Sequence, residues 1–204
     1  MKSNILLTSM AALLVTTAAN ATTIKPFVGA AFGIQGPVYS DDAKDESKAG
    51  YFDLPEDFIA FGLEGGVRFG EYNEIYNGGV TLAAKLSTRG KVEDKFTDDT
   101  LARINYSEIY GTYDNYIRLS GDKIKRIDLV LGVGAGAMSY HVDDEGSNHS
   151  ETIWSFTPAF KIGVDFEINK HITLSAETLI FTPTRDDYLI DGSYVTGGAF
   201  KYVF

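Results

Sequence analysis

The segment TIWSFTPAFKIGVDFEI, residues 152–168, decides the fold because charged and apolar side chains alternate along it. Lys161, Asp165 and Glu167 share one parity. The opposite parity carries a row of large apolar side chains: Trp154, Phe156, Phe160, Ile162, Val164, Phe166 and Ile168. Successive side chains of a β-strand point to opposite faces of a sheet. The period of two therefore predicts a strand with one charged face and one apolar face.

The same period of two recurs along the rest of the chain. It is present in eight segments: 24–35, 57–70, 75–87, 106–120, 126–140, 152–168, 171–181 and 191–204. Segments 57–70 and 106–120 also carry several charges on a single parity, as 152–168 does. Alternation of this kind predicts eight β-strands, each with one polar and one apolar face.

The connections between these segments alternate in length. Long connections cover 36–56, 88–105, 141–151 and 182–190, and short ones cover 71–74, 121–125 and 169–170. An even number of strands with tight turns at one end and longer loops at the other is typical of outer-membrane barrels. The sequence therefore predicts an all-β, eight-stranded, antiparallel up-and-down transmembrane barrel.

The charged parity decides which face of this barrel points inward. Burying charges in lipid costs about 2–4 kcal/mol for each mid-bilayer Arg or Lys, and a whole protein is stable by only about 5–15 kcal/mol. We therefore expect the charges to line the lumen as a structural ion network and the apolar parity to face lipid. A soluble barrel with the opposite sidedness is the alternative. The expected lumen charges are Lys25, Glu64, Arg68, Lys85, Glu108, Asp114, Arg118, Asp128, Lys161, Asp165, Glu167, Glu177 and Lys201.

The N-terminus and the composition limit the cellular compartment and the partners that the protein can have. Residues 1–21 combine Lys2, the apolar run ILLTSMAALLV and the small-residue site ANA, which predicts a cleaved signal peptide followed by one barrel domain over 22–204. The chain has no cysteine, so disulfides cannot hold it together. Its formal net charge of −10 argues against a nucleic-acid partner.

Four stretches together resemble the eight-stranded outer-membrane barrels of the OmpA/OmpX-like group. They are PFVGAAFG (26–33), LVLGVGAGAMSY (129–140), FKIGVDFEINKHITLSAET (160–178) and TGGAFKYVF (196–204). The resemblance covers residues 22–204. We expect the chain to depart from OmpA itself in having no periplasmic peptidoglycan-binding domain, so cell-wall anchoring is not implied. It implies the outer membrane of a Gram-negative bacterium, both termini in the periplasm, a monomer, and contact with outer-membrane lipid and lipopolysaccharide.

The same resemblance gives the C-terminal residues a role. In this family a polar residue, a glycine and alternating aromatic residues form a signal that the barrel-assembly machinery reads during insertion. The matching residues in this sequence are Thr196, Gly197, Phe200, Tyr202 and Phe204.

No catalytic, cofactor or metal site is predicted. The spacing of His141, His149 and His171 fits no metal motif. Adjacent residues such as His149, Ser150 and Glu151 rarely converge on one substrate atom. We therefore expect no enzyme and no cofactor.

Function in such a barrel is expected to lie in its loops. We expect a structural or surface-interaction role, such as envelope integrity or adhesion, with a surface partner at loops 36–56, 88–105, 141–151 and 182–190. A narrow or gated porin-type channel is the alternative, and a membrane-embedded lipid-modifying enzyme is less favoured. Loops 36–56, 141–151 and 182–190 are interpreted as solvated acidic loops, with calcium binding as the alternative, and 88–105 as a short hairpin beyond the membrane. We expect Tyr39, Tyr51 and Phe52 to pack on the barrel rim, with a partner contact as the alternative.

Overall fold

The computed structural model describes residues 23–49, 52–70, 75–121, 125–146, 150–183 and 190–204. The predicted signal peptide, Tyr51 and His149 lie outside these residues. The described elements are β1 (Ile24–Tyr39), α1 (Asp41–Lys48), β2 (Phe52–Asp53), β3 (Phe58–Phe69), β4 (Tyr76–Ser87), β5 (Gly90–Asp94), β6 (Thr100–Gly121), β7 (Arg126–Asp144), β8 (Ser150–Asn169), β9 (Ile172–Phe181) and β10 (Ile190–Val203). Within these ranges, no helix is both long and apolar enough to cross a membrane.

Eight of the strands close into a ring. The order around it is β1, β3, β4, β6, β7, β8, β9 and β10, and β10 pairs with β1 to complete it. All of these pairings are antiparallel. A closed ring satisfies the backbone hydrogen bonds of every strand, which the hydrocarbon core of a membrane requires. The predicted eight-stranded antiparallel barrel is confirmed.

The strands are longer at the loop end than the sequence indicates. β6 begins at Thr100 rather than at residue 106, and β7 runs to Asp144 rather than to residue 140. β5 pairs with the start of β6, as the predicted hairpin in 88–105 requires, and β2 pairs with β5. The predicted loop 141–151 was too long, because β7 and β8 remain paired as far as Asp143 opposite Ser150.

The first loop also differs from the sequence reading, because it contains a helix. The Ser40 hydroxyl caps α1 by accepting a hydrogen bond from the backbone N–H of Ala43 at 3.2 Å. Asp41 and Asp42 lie in the first turn, where a negative charge interacts favourably with the helix dipole. Ala43 is buried against the barrel mouth. Part of the predicted solvated loop is thus a capped helix that covers the barrel.

Side-chain exposure alternates along the strands as predicted. On β8, Trp154 is 54% exposed and Phe156 is 60% exposed, whereas Lys161 is 4% exposed and Asp165 is 3% exposed. The same contrast holds on β3, where Leu63 is 71% exposed and Glu64 is 5% exposed. The apolar parity therefore forms the outer wall and the charged parity lines the lumen. This rules out the soluble barrel of opposite sidedness.

Candidate functional site: the barrel interior and the loop end

Paired charges fill the half of the lumen next to the short turns. The Arg68 guanidinium on β3 donates one hydrogen bond to Asp128 on β7 and another to Glu167 on β8, the latter at 2.9 Å. Arg68 also lies over the Tyr116 ring, 4.3 Å from its centroid. Arg126 Nε donates to Asp128 Oδ1 at 2.5 Å. One buried carboxylate therefore joins two guanidinium groups from different strands.

A second layer of paired charges lies at mid-barrel. Lys161 Nζ donates to Asp114 Oδ2 at 2.5 Å, and the Thr81 hydroxyl donates to the same oxygen at 2.6 Å. Lys201 Nζ lies 3.6 Å from Glu64 Oε1 and 3.4 Å from Asp165 Oδ1. Each lysine thus lies within ion-pair distance of a carboxylate on another strand.

The remaining predicted lumen charges lie at the two ends of these layers. Lys85 Nζ donates to Glu177 Oε1 at 3.3 Å, and Gln35 Nε2 donates to Glu108 Oε1 at 2.7 Å. Lys25 and Arg118 are half-buried near the short turns, and Arg118 lies opposite Asp128 in the β6–β7 register.

The sequence reading missed Arg126, which is 1% exposed and belongs to the lumen. Arg126 has the same parity as Asp128 on β7, so the period of two contained the signal. It was overlooked because it is the first residue of its segment. With Arg126 included, the described part of the lumen carries seven acidic and seven basic side chains and is formally neutral.

An apolar plug fills the lumen at the loop end. We define it as Tyr39, Phe58, Tyr106, Tyr110 and Phe181, all of which are buried. The Phe58 and Tyr106 rings meet edge to face at 4.8 Å, and the Tyr110 and Phe181 rings do so at 5.4 Å. The first loop is tied down over the plug, because the Tyr39 hydroxyl donates to the Pro55 carbonyl at 2.7 Å. Tyr39 therefore packs at the rim, as expected, and Phe52 packs against the same cluster.

The described residues of the loop end are predominantly acidic. Its described positions hold sixteen acidic residues and six basic ones, counted by sequence. The acidic residues are Asp41, Asp42, Asp45, Glu46, Asp53, Glu56, Asp57, Glu93, Asp94, Asp98, Asp99, Asp143, Asp144, Glu145, Glu151 and Asp191. The basic residues are Lys44, Lys48, Arg89, Lys91, Lys95 and Arg103. The described part of this end therefore has ten more acidic than basic residues.

The same end presents a sheet that rises above the ring. β8 pairs with β7 from Ser150 onward, whereas β9 reaches β8 only at Ala159. Among the described residues, the other edge of β8 from Ser150 to Thr157 has no strand partner. Trp154 and Phe156 are exposed on the outer face of this stretch. An open strand edge beside exposed aromatic rings is a surface on which another chain can pair or pack.

The histidines make local contacts. His141 Nδ1 lies 2.7 Å from Thr152 Oγ1 and its Nε2 lies 2.9 Å from Asp143 Oδ1, which joins β7 to β8 on the outer wall. In the part of the chain that the structure describes, no group of three or more His, Asp or Glu side chains could hold a metal ion. Ser150 and Glu151 lie exposed at the start of β8.

The C-terminal aromatic residues lie on the outer wall at the short-turn end. Phe200, Tyr202 and Phe204 are 48%, 43% and 66% exposed. The Tyr202 ring stacks on His171 at 5.7 Å and meets Phe204 edge to face at 5.2 Å. Thr196 is also exposed, whereas Gly197 points inward and lies opposite Gly33 on β1.

A family model for the outer membrane protein beta-barrel domain matches residues 5–201. The chain belongs to this family. It is accordingly an outer-membrane β-barrel protein. A comparison with curated proteins gives no match.

Solved structures agree with the fold of this outer-membrane barrel. Ail, the attachment invasion locus protein of Yersinia pestis, is 18% identical, with a TM-score of 0.52 over 88% of this chain and 98% of that one. Neisserial surface protein A is 10% identical, with a TM-score of 0.53 over 91% and 99%. OprG of Pseudomonas aeruginosa is 13% identical, with a TM-score of 0.52 over 87% and 95%. At these identities the similarity concerns the fold.

Proposed function

We propose that this outer-membrane barrel is a non-conducting protein whose role is surface interaction, in adhesion or envelope integrity. The observation that carries the proposal is the apolar plug, which fills the lumen at the end where the sheet rises and the acidic residues gather. A barrel closed in this way has its accessible features on the outside, at the loops.

The filled lumen argues against the alternative of a narrow channel. An eight-stranded barrel has an interior that side chains can fill. Here the plug occupies one half, and paired charges such as Lys161 with Asp114 and Lys85 with Glu177 cross the other half. An ion crossing this lumen would have to displace both layers.

The loop end has the chemistry of a binding surface for a positively charged partner. Its acidic residues outnumber its basic ones, and such a field attracts cationic partners. The edge of β8 that has no partner among the described strands, together with the exposed Trp154 and Phe156, adds backbone and apolar contacts. We infer a basic partner surface that contacts this end.

The proposal includes the placement of the chain in the envelope. The loop end faces the outside, both termini are periplasmic, and residues 1–21 are removed as a signal peptide. The outer wall contacts outer-membrane lipid and lipopolysaccharide, the C-terminal aromatic residues are read by the barrel-assembly machinery, and the barrel acts as a monomer without enzymatic activity.

Electrical recording separates the two candidate roles. Purified protein reconstituted into planar lipid bilayers is expected to pass no steady ion current, because the plug and the ion pairs fill the lumen. A porin reconstituted in the same way serves as the positive control. Steady single-channel openings whose ion selectivity changes in an Arg68→Ala variant would make the chain a channel instead.

A charge-neutralised helix tests the binding surface. Cells that display a variant with Asp41→Asn, Asp42→Asn, Asp45→Asn and Glu46→Gln should capture fluorescent polylysine on the order of tenfold less well than cells displaying the parent chain. Raising the salt concentration should weaken capture by the parent, because exposed charges are screened. Equal capture by both chains at low salt would remove α1 from the proposed surface.

A further inference from the structure

A cavity of about 50 Å³ opens into the lumen at the short-turn end, and we call it the turn-side vestibule. Four cationic side chains and two carboxylates line it: Lys25, Arg68, Lys170, Lys201, Asp165 and Glu167. The vestibule is therefore net positive by two formal charges, although the chain as a whole carries −10. The solubility of the protein does not account for a basic recess in a chain of net negative charge.

The two carboxylates of the vestibule are already engaged. Glu167 accepts a hydrogen bond from Arg68 at 2.9 Å, and Asp165 accepts one from the Ser175 hydroxyl at 2.6 Å and one from Lys201 at 3.4 Å. Lys170, in contrast, is exposed and makes no ion pair with any residue that the structure describes. On the open side of the cavity the exposed Lys170 therefore adds positive charge, whereas both lining carboxylates are engaged on the inner wall.

We propose that the turn-side vestibule binds one small oxyanion, of the size and chemistry of phosphate. Its volume holds a few water molecules, or one small oxyanion in their place. Arg68 and Lys201 are held in place by their buried partners, so the cationic wall is ordered before a ligand arrives. The Thr173 hydroxyl, which also lines the cavity, is a further donor for an anion oxygen. This site is separate from the proposed loop-end surface and does not depend on it.

Phosphorus-31 NMR of inorganic phosphate tests the proposal in two settings at low salt. In dodecyl maltoside micelles, which contain no phosphate, the folded protein should broaden the phosphate signal saturably. Saturable broadening also in phospholipid nanodiscs would identify a free anion as the ligand. Loss of the effect in nanodiscs alone would identify a lipid headgroup phosphate as the occupant.

Two variants assign the binding to this cavity. Lys25→Gln and Lys170→Gln each remove one cation from the open side and should weaken phosphate binding about fivefold. Lys125→Gln, a matched change at the same end but outside the cavity lining, should leave it unchanged. Folding of each variant is checked by heat-modifiable gel migration. Absence of saturable broadening in micelles, or an equal loss in all three variants, would overturn the proposal.

Discussion

At the scale of single residues, the lumen shows how a barrel tolerates ionised side chains. A charge removed from water is costly unless it is paired and hydrogen-bonded. Asp114 and Lys161 are both buried from water. The Lys161 ammonium and the Thr81 hydroxyl donate hydrogen bonds to the same Asp114 oxygen. Removing one member of such a pair leaves the other as an uncompensated buried charge.

Lys161→Met is therefore expected to destabilise the barrel strongly. The free energy of unfolding should fall by about 3–5 kcal/mol, measured by equilibrium urea unfolding in lipid vesicles. Lys91→Met is the matched control, because the Lys91–Glu93 pair at 3.7 Å is solvent-exposed and should contribute less than about 1 kcal/mol. Similar losses in the two variants would show that the buried pair contributes no more than a surface pair.

At the scale of elements, the inward glycines let neighbouring strands approach closely. A Cβ atom on Gly136 of β7 would lie 2.2 Å from the Ile109 carbonyl oxygen and 2.6 Å from Tyr110 Cβ on β6. On the outer wall the space is different, since a Cβ on Gly65 of β3 would meet nothing nearer than the Phe27 carbonyl oxygen at 3.4 Å. Close strand packing therefore requires glycine at position 136, whereas position 65 has room for a larger side chain.

Alanine at these two glycines should give opposite results. Gly136→Ala is expected to lower the free energy of unfolding by about 1–3 kcal/mol, because the β6 backbone must shift to admit the methyl group. Gly65→Ala should be neutral or stabilising by less than about 1 kcal/mol, because it reduces the entropy of the unfolded chain. Urea unfolding of both variants in one lipid mixture checks this, and a larger loss at Gly65 would contradict it.

At the scale of the whole molecule, charge is divided between two environments. Among the residues that the structure describes, the lumen is formally neutral, with seven acids and seven bases, while the loop end has ten more acids than bases. A low-dielectric interior requires pairing, whereas a water-facing surface can hold one sign of charge in excess. The ring that separates these environments is complete without β2 and β5, which only extend it at the loop end.

Because the ring is complete without β2 and β5, a cut in the hairpin between β5 and β6 should leave the barrel folded. Phe96, in the turn between β5 and β6, is 81% exposed. Chymotrypsin added to intact cells should cut after Phe96 and leave two fragments that migrate together as a folded barrel before heating. A Phe96→Ala variant should resist this cut. Cleavage only after the outer membrane is broken would reverse the proposed orientation.

The sequence could predict the ring and the parity of its side chains, because both follow from a local period of two. That period identified Glu64, Arg68 and the other lumen charges as a set. It could not select their partners: Arg68 and Glu167 are 99 residues apart in the chain. Composition also did not predict α1, because its acidic residues are equally typical of a solvated loop and its stability depends on the Ser40 cap and the burial of Ala43.

The sequence by itself determined which side chains face lipid and which face the lumen, since alternation along a strand needs no knowledge of other strands. Only the tertiary structure decided that the lumen is plugged at the loop end, that Arg68 pairs with Asp128 and Glu167, and that cations surround the turn-side vestibule. The physical reason is ring closure. Strand order and register bring together side chains that are distant in the chain. A local sequence pattern does not specify which of these side chains come into contact.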